Sequence, residues 1–227
     1  MKRYAIITAG GRGLRMGGPT PKQFALVGGR PALALSVERF YGWDPEVEII
    51  ITLPQDTREY WTGLCTTFGF NVPHRVVNGG QTRFHSVKNA LATITDVDAL
   101  VAIHDAARPF VSREVISDCF DAAGDYGAAV PVIDLADSIR ERENDWGRSR
   151  AVDRRKFVAA QTPQAFRLGL LRMGYAQEYR EEFTDDASVV EALGAEVVMV
   201  KGSAENIKLT SPLDLQIAEL ILKRSNL

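Results

Sequence analysis

The chain has 227 residues, 45% of them apolar and 25% charged, with a net charge of −2; it can bury a sizeable core in one large domain or two small ones. That balance gives no electrostatic case for nucleic acid or an anionic membrane as partner, and apolar runs such as Val47–Leu53 stop far too soon to span a bilayer. Cys65 and Cys119 are isolated, which argues against a disulfide scaffold and a thiolate zinc site and fits reduced thiols in the cytoplasm.

Met1–Gly10 lacks the h-region and cleavage pattern of a signal peptide and reads as a strand entering a loop. The pattern predicts a buried strand at Arg3–Thr8, a helix at Pro31–Tyr41, a second buried strand at Val47–Leu53, a helix near Thr57–Phe68 and a strand at Val72–Val77. Phe84, Val87, Leu91 and Ile94 recur at helical spacing and place a helix across Gln81–Thr95. An apolar run at Ala99–Ile103, a helix near Arg113–Ala123 and a strand at Ala128–Ile133 follow. Uninterrupted apolar strands alternating with helices imply an α/β fold with a mostly parallel sheet covered on both faces. Ligands of such sheets sit beyond the carboxyl ends of the strands.

Residues 134 to 158 break this rhythm, with charges at almost every step and a polar turn around Asn144–Gly147. A two-stranded hairpin is marginal alone in water, so this one reads either as a solvated flap or as an arm that packs on a second copy. Beyond it the sequence predicts an interrupted helical region at Leu168–Tyr179, a helix at Asp185–Leu193, a strand at Glu196–Val200 and a last helix at Pro212–Lys223, capped by Ser211. No repeat or low-complexity linker divides the chain, which is read as a single domain over 1–227 with a projecting arm.

Residues 8 to 24, TAGGRGLRMGGPTPKQF, hold five glycines and three cations, Arg12, Arg15 and Lys22, and no carboxylate. The segment follows a strand, as a phosphate-cradling loop should. It fails the dinucleotide fingerprint, because Met16 stands where a third glycine is needed, and it fails the P-loop, because Pro19 follows Gly18. One reading is a flexible turn with surface cations. The other brings the backbone N–H groups near Ala9, Gly10, Gly11 and Gly13 against a nucleotide, with Arg15 and Lys22 aimed at its phosphates.

HDAARPF, at 104 to 110, follows a strand and puts Asp105 where it could hold Mg²⁺ or a substrate hydroxyl; a turn-capping Asp paired with Arg108 is the alternative. GGQTRFHS, at 79 to 86, opens a helix and could offer N–H groups and the Ser86 hydroxyl to a base or ribose. TDDAS, at 184 to 188, is a good helix start with Thr184 as cap. His74, His85 and His104 show no catalytic pattern.

Taken in order, T-A-G-G-x-G-x-R-M, P-K-Q-F, G-G…R-x-x-S-V, H-D-A-A-R-P-F, V-D-R, T-P-Q-x-F, T-D-D-A-S and N-I-K-L-T run from end to end of the chain. This series resembles the 2-C-methyl-D-erythritol 4-phosphate cytidylyltransferases, which use CTP in non-mevalonate isoprenoid synthesis. The resemblance implies a Rossmann-like nucleotidyltransferase fold, Mg²⁺ held mainly by the CTP phosphates with Asp105 beside it, and a homodimer whose arm completes the partner's site. It implies a catalytic set of Arg15 and Lys22 at the α-phosphate, and of Arg154 and Lys208 at the methylerythritol phosphate. Ala9, Gly10, Gly11, Gly13, Gly80, Ser86 and Ala106 fall at the cytidine, and Asp105, Arg108, Ser138, Thr162 and Thr184 around the second substrate. Ser138 replaces a threonine, and Gln81 stands where some members carry an acid. A ribitol 5-phosphate cytidylyltransferase of the same fold is the nearest alternative.

Overall fold

A computed structural model describes residues 1–11, 21–143 and 147–225 of the chain. Strand β1 (Lys2–Thr8) lies at the centre of the main sheet. A short hairpin, β2 (Leu26–Val27) and β3 (Arg30–Pro31), leads into α1 (Ala32–Trp43), followed by β4 (Glu48–Leu53), α2 (Arg58–Thr67), β5 (Arg75–Asn78), α3 (Arg83–Leu91) and β6 (Ala99–Asp105). Next come α4 (Arg113–Tyr126), β7 (Ala128–Asp134), β8 (Arg140–Arg142), β9 (Ser149–Ala151), β10 (Val158–Ala160) and β11 (Gln164–Arg167). The chain closes through α5 (Leu168–Ala176), α6 (Asp186–Glu191), β12 (Val198–Lys201) and α7 (Pro212–Ser225).

The sheet runs β10-β7-β11-β6-β1-β4-β5, with β12 also paired to β7. Strands β6, β1, β4 and β5 pair in parallel, while β11 runs antiparallel to both β6 and β7. Alternation sorts the core between the two faces. Ala5, Ile7, Ile49 and Ile51 join Val37 and Phe40 of α1 and Ile116 and Phe120 of α4. Tyr4, Ile6 and Ile50 join Phe84 and Val87 of α3, Leu171 of α5 and Val189 of α6. Apolar strands covered on both sides therefore explain the uninterrupted runs in the sequence.

The boundaries shift where local chemistry decides them. Strand β5 begins at Arg75 rather than Val72, since Pro73 has no N–H to give a ladder. Helix α3 starts two residues later than the apolar spacing predicts because Thr82 caps it, its hydroxyl accepting from the His85 N–H, and it ends at Leu91. Strand β6 runs two residues past Ile103, and Asp105 stands at its carboxyl end, as the sequence leads one to expect. Strand β11 is not predicted by the sequence. It spans four residues, Gln164–Arg167, too few to show a period, and begins directly after the cis peptide bond Thr162–Pro163.

The predicted hairpin forms from β8 and β9, a separate antiparallel pair with Arg140 opposite Ala151. Every residue of these two strands is exposed. Among the described residues, no helix is long and apolar enough to cross a membrane.

Candidate active site

Strands β1 and β6 lie side by side, and their register ends with Thr8 opposite Asp105. Both chains exit at the same edge, and backbone hydrogen bonds hold the exits together. The Ala9 N–H donates to the Thr52 carbonyl at 3.0 Å, the Ala106 N–H to the Thr8 carbonyl at 3.0 Å, and the Gly79 N–H to the Leu53 carbonyl at 2.8 Å. A cavity of about 210 Å³ opens here, walled by Ala9, Gly10, Gly11, Gly80, Ser86 and Ala106 together with Lys22, Asp105 and Lys208. The first six and Lys22 are residues that the sequence assigns to a nucleotide and its phosphates, Asp105 and Lys208 ones it assigns to the second substrate, and together they come from five separate segments. Gly13 and Arg15 lie outside the described residues.

Small residues are required along this wall. A Cβ on Gly80 would sit 2.3 Å from the His85 Cβ and 2.8 Å from its carbonyl carbon, so no other residue fits without moving α3. The Gly80 N–H donates to the Ser86 hydroxyl at 3.0 Å, and that hydroxyl donates to the Thr82 carbonyl at 3.0 Å. Ser86 thus braces the glycine turn onto the first turn of α3. Gln23 is buried and its side-chain amide donates to the Ala9 carbonyl at 2.8 Å, anchoring the other glycine segment.

Asp105 is the only carboxylate lining the cavity among the described residues. Its Oδ2 lies 2.7 Å from the Lys208 Nζ and 3.8 Å from the Arg108 Nε. Its Oδ1 receives the Thr8 hydroxyl at 3.3 Å and the Arg83 Nε at 3.4 Å. Burial alone would raise this carboxyl's pKa, but the charges of Arg83, Lys208 and Arg108 overcome it and hold the group well below the usual carboxylate range. The turn-capping alternative is half right: Arg108 does approach Asp105, yet Lys208 is much closer.

Beneath this cluster lies a second polar layer. His104 is fully buried, and burial lowers its pKa to about 4. Its Nε2 lies 3.0 Å from the Arg108 carbonyl, which can only accept, so Nε2 carries the proton. The Nδ1 then accepts from the Thr162 hydroxyl at 3.1 Å, while that hydroxyl accepts from the Asp105 N–H at 3.1 Å. Both ring nitrogens are engaged, which removes His104 as a general base. The Arg108 Nη1 donates to the Asn206 carbonyl at 2.7 Å, and the Asn206 amide to the Thr162 carbonyl at 2.8 Å. Thr162 and Arg108 therefore sit directly behind Asp105, tied into the framework.

The remaining second-substrate residues lie elsewhere. Thr184 is exposed and does not cap α6; Asp185 does, accepting from the Ser188 N–H at 2.9 Å in a reciprocal capping box. Asp185 wins because its carboxylate reaches the third N–H of the helix while Asp186 turns inward. Ser138 and Arg154 belong to the arm and its base, are exposed, and do not line the cavity. The Arg154 guanidinium donates to the Ala136 carbonyl.

Sequence reasoning gave no role to Thr8, Gln23, Thr82, Arg83 or Ala107, all of which line the cavity. Arg83 does lie inside the G-G…R-x-x-S-V series. Its partner Asp186 is 103 positions away, so no local pattern announces the pair. Among the described residues, no group of three or more His, Cys, Asp or Glu could hold a metal ion.

Comparison with known proteins bears on the whole chain. The family model described as 2-C-methyl-D-erythritol 4-phosphate cytidylyltransferase matches residues 4–224. A protein of that name from Phocaeicola vulgatus is 50% identical over 222 residues, covering 98% of this chain and all of its own length. One from Porphyromonas gingivalis is 49% identical, covering 97% of this chain and 98% of its own. The crystal structure of the Thermus thermophilus cytidylyltransferase of that name superposes with a TM-score of 0.76 at 34% identity, over 98% of this chain and 100% of that one. The 4-diphosphocytidyl-2C-methyl-D-erythritol synthase structure from Anaerococcus prevotii gives a TM-score of 0.82 at 28% identity, over 98% of this chain and 96% of that one.

Proposed function

The chain belongs to the 2-C-methyl-D-erythritol 4-phosphate cytidylyltransferase family, and from that premise we propose how its residues share the work of one reaction. CMP passes from CTP to the 4-phosphate of 2-C-methyl-D-erythritol. An oxygen of the phosphate monoester bonds to the α-phosphorus, the bond from that phosphorus to the bridging oxygen breaks, and pyrophosphate leaves. The observation that carries this reading is the cavity itself, whose described lining brings glycine backbone from two loops together with Lys22, Lys208 and one carboxylate, Asp105.

A phosphate monoester has its second pKa near 6 and is already largely ionised at neutral pH. No side chain need take a proton, which suits a site where the histidine behind Asp105, His104, is buried and engaged at both ring nitrogens. The obstacle is repulsion between two polyanions. Opposite charges about 4 Å apart are worth roughly 4 kcal/mol at an effective dielectric of 20, and each 1.36 kcal/mol is tenfold in rate. Lys22, with Arg15, neutralises charge growing on the α-phosphate; Lys208, with Arg154, holds the incoming monoester for attack. Ala9, Gly10, Gly11, Gly13, Gly80 and Ala106 admit the nucleotide against backbone, and Ser86 keeps the Gly80 turn in place. Arg108, Thr162 and Thr184, with Ser138 of the arm, border the second substrate.

The donor set suits Mg²⁺ only in one form. Among the described residues one carboxylate lines the cavity, which cannot make a protein cage, but Mg²⁺ commonly takes one carboxylate and several phosphate oxygens. Asp105 would be that carboxylate, and the ion would supply further neutralisation of the triphosphate. The exposed arm and the absence of Arg154 and Ser138 from the cavity lining support a homodimer in which the arm of one subunit serves the other's cavity.

Pyrophosphate release with Mg²⁺ and CTP, comparing 2-C-methyl-D-erythritol 4-phosphate with ribitol 5-phosphate, tests the reading. A strong preference for the methylerythritol phosphate is expected. Preference for ribitol 5-phosphate would keep the mechanism and overturn the substrate.

A further inference from the structure

Among the described residues, Arg83 is the cavity cation for which the reaction just described has no use. Its side chain is 33% exposed toward the cavity mouth, yet its partner Asp186 is fully buried. The guanidinium fork is spent entirely on that partner, with Nη1 donating to Oδ1 at 2.7 Å and Nη2 to Oδ2 at 2.6 Å. The Tyr175 hydroxyl donates to the same Oδ1 at 2.6 Å. The Nε N–H points to Asp105 Oδ1 at 3.4 Å. With its end-on fork on Asp186 and its Nε turned to Asp105, the guanidinium is held between two carboxylates and its fork is not presented to a phosphate.

What the pair does join is informative. Arg83 is the first residue of α3, three positions past Gly80 in the nucleotide turn. Asp186 opens α6, two positions past Thr184. That helix start is held a second time, where the Gln164 amide donates to the Asp185 Oδ2 at 2.8 Å and its carbonyl accepts the Ala187 N–H at 2.8 Å. Through Nε the same side chain flanks the carboxylate that holds Lys208. One guanidinium thus links the nucleotide turn, the Asp105–Lys208 pair and the turn bearing Thr184. A buried ion pair is weak evidence for stability, and similar volume in apolar residues would often serve as well.

We propose that Arg83, clamped by Asp186, is a positioning residue that fixes the alcohol-phosphate side of the cavity relative to its nucleotide side. This role rests on the functional reading above. Misplacing a reacting group by about 1 Å can cost a hundredfold in rate. The effect of loosening the clamp falls on the second substrate, because Asp105, Lys208 and Thr184 lie on that side, whereas Gly80 is also braced by Ser86.

The test uses Arg83→Lys, which keeps the charge but loses the fork, Arg83→Gln, which loses both, and Tyr175→Phe, which removes one hydrogen bond to Asp186. Steady-state kinetics with CTP, Mg²⁺ and 2-C-methyl-D-erythritol 4-phosphate are paired with equilibrium binding of CTP. Expected for Arg83→Gln is a rise of about tenfold in KM for the methylerythritol phosphate with a fall in kcat, and CTP affinity within about twofold of wild type. Arg83→Lys should recover part of this, and Tyr175→Phe should show a smaller change of the same sign. A merely structural pair would reduce the number of active molecules and leave both KM values alone. If Arg83→Gln does not fold, the other two variants decide: unmoved KM for the methylerythritol phosphate in both overturns the positioning role. A wild-type protein that turns over neither alcohol phosphate overturns instead the functional reading beneath it.

Discussion

The cavity floor and the arm are both rich in cations, and the fold treats them in opposite ways. At the floor, Arg83, Arg108 and Lys208 converge on Asp105, whose side chain is only 11% exposed. On the arm, Arg150 pairs with Glu141 at 2.6 Å, but the two side chains are 67% and 52% exposed. Arg155 and Asp153, beside Arg154, are likewise an open surface pair. Exposed pairs are worth roughly 0–1 kcal/mol, whereas removing one partner of a buried pair costs about 3–5 kcal/mol. The floor holds its charges fixed before any substrate arrives, which is what electrostatic catalysis requires. The arm offers charges that only a second surface can fix.

Asp186→Ala should give the largest change. It strands the half-buried Arg83 guanidinium, and denaturant unfolding should show a loss of about 3–5 kcal/mol. A loss below about 1 kcal/mol would place that pair in the arm's class. Next is Lys22→Ala, expected to lower kcat by about 10²–10³-fold with much less effect on CTP affinity. Unchanged kcat would remove Lys22 from the transition state.

A smaller effect concerns pH. His104 has its pKa lowered by burial to about 4 from 6.5, so as pH falls through 6.5 the unfolded chain takes up a proton that the folded one refuses. Stability should decline between pH 6.5 and about 4, by at most about 1.4 kcal/mol per pH unit from this group. In His104→Asn, unfolding measured across that window should show a shallower slope. The smallest effect is expected for Arg150→Ala, within about 1 kcal/mol of wild type in the same unfolding experiment.

Much of the fold was legible because buried parallel strands write themselves as apolar runs. Val47–Leu53 and Ala99–Ile103 fall on β4 and β6 with small shifts at their ends. Strand β11 was not legible: four residues between a proline and a helix carry no period, and antiparallel placement between β6 and β7 is decided by tertiary packing. At the site, Gly80 could be read because a glycine pair before a helix signals close backbone approach. The Arg83–Asp186 clamp could not, because RFHS and VDRR look equally cationic in sequence and only the fold buries one partner. TDDAS shows the same limit. Its helix start was correct, but which of three adjacent residues caps, and which turns inward, depends on what α3 presents to it.

The central claim is that floor and arm meet across subunits to make one site. Mixing subunits tests it directly. Lys22→Ala and Arg154→Ala proteins, each nearly inactive alone, are combined and allowed to exchange before turnover is measured. If the arm serves its partner, half of the randomly mixed dimers carry one intact site, and activity should climb toward about a quarter of wild type. A mixture that stays at the level of its parents would contradict the account and return Arg154 to its own subunit.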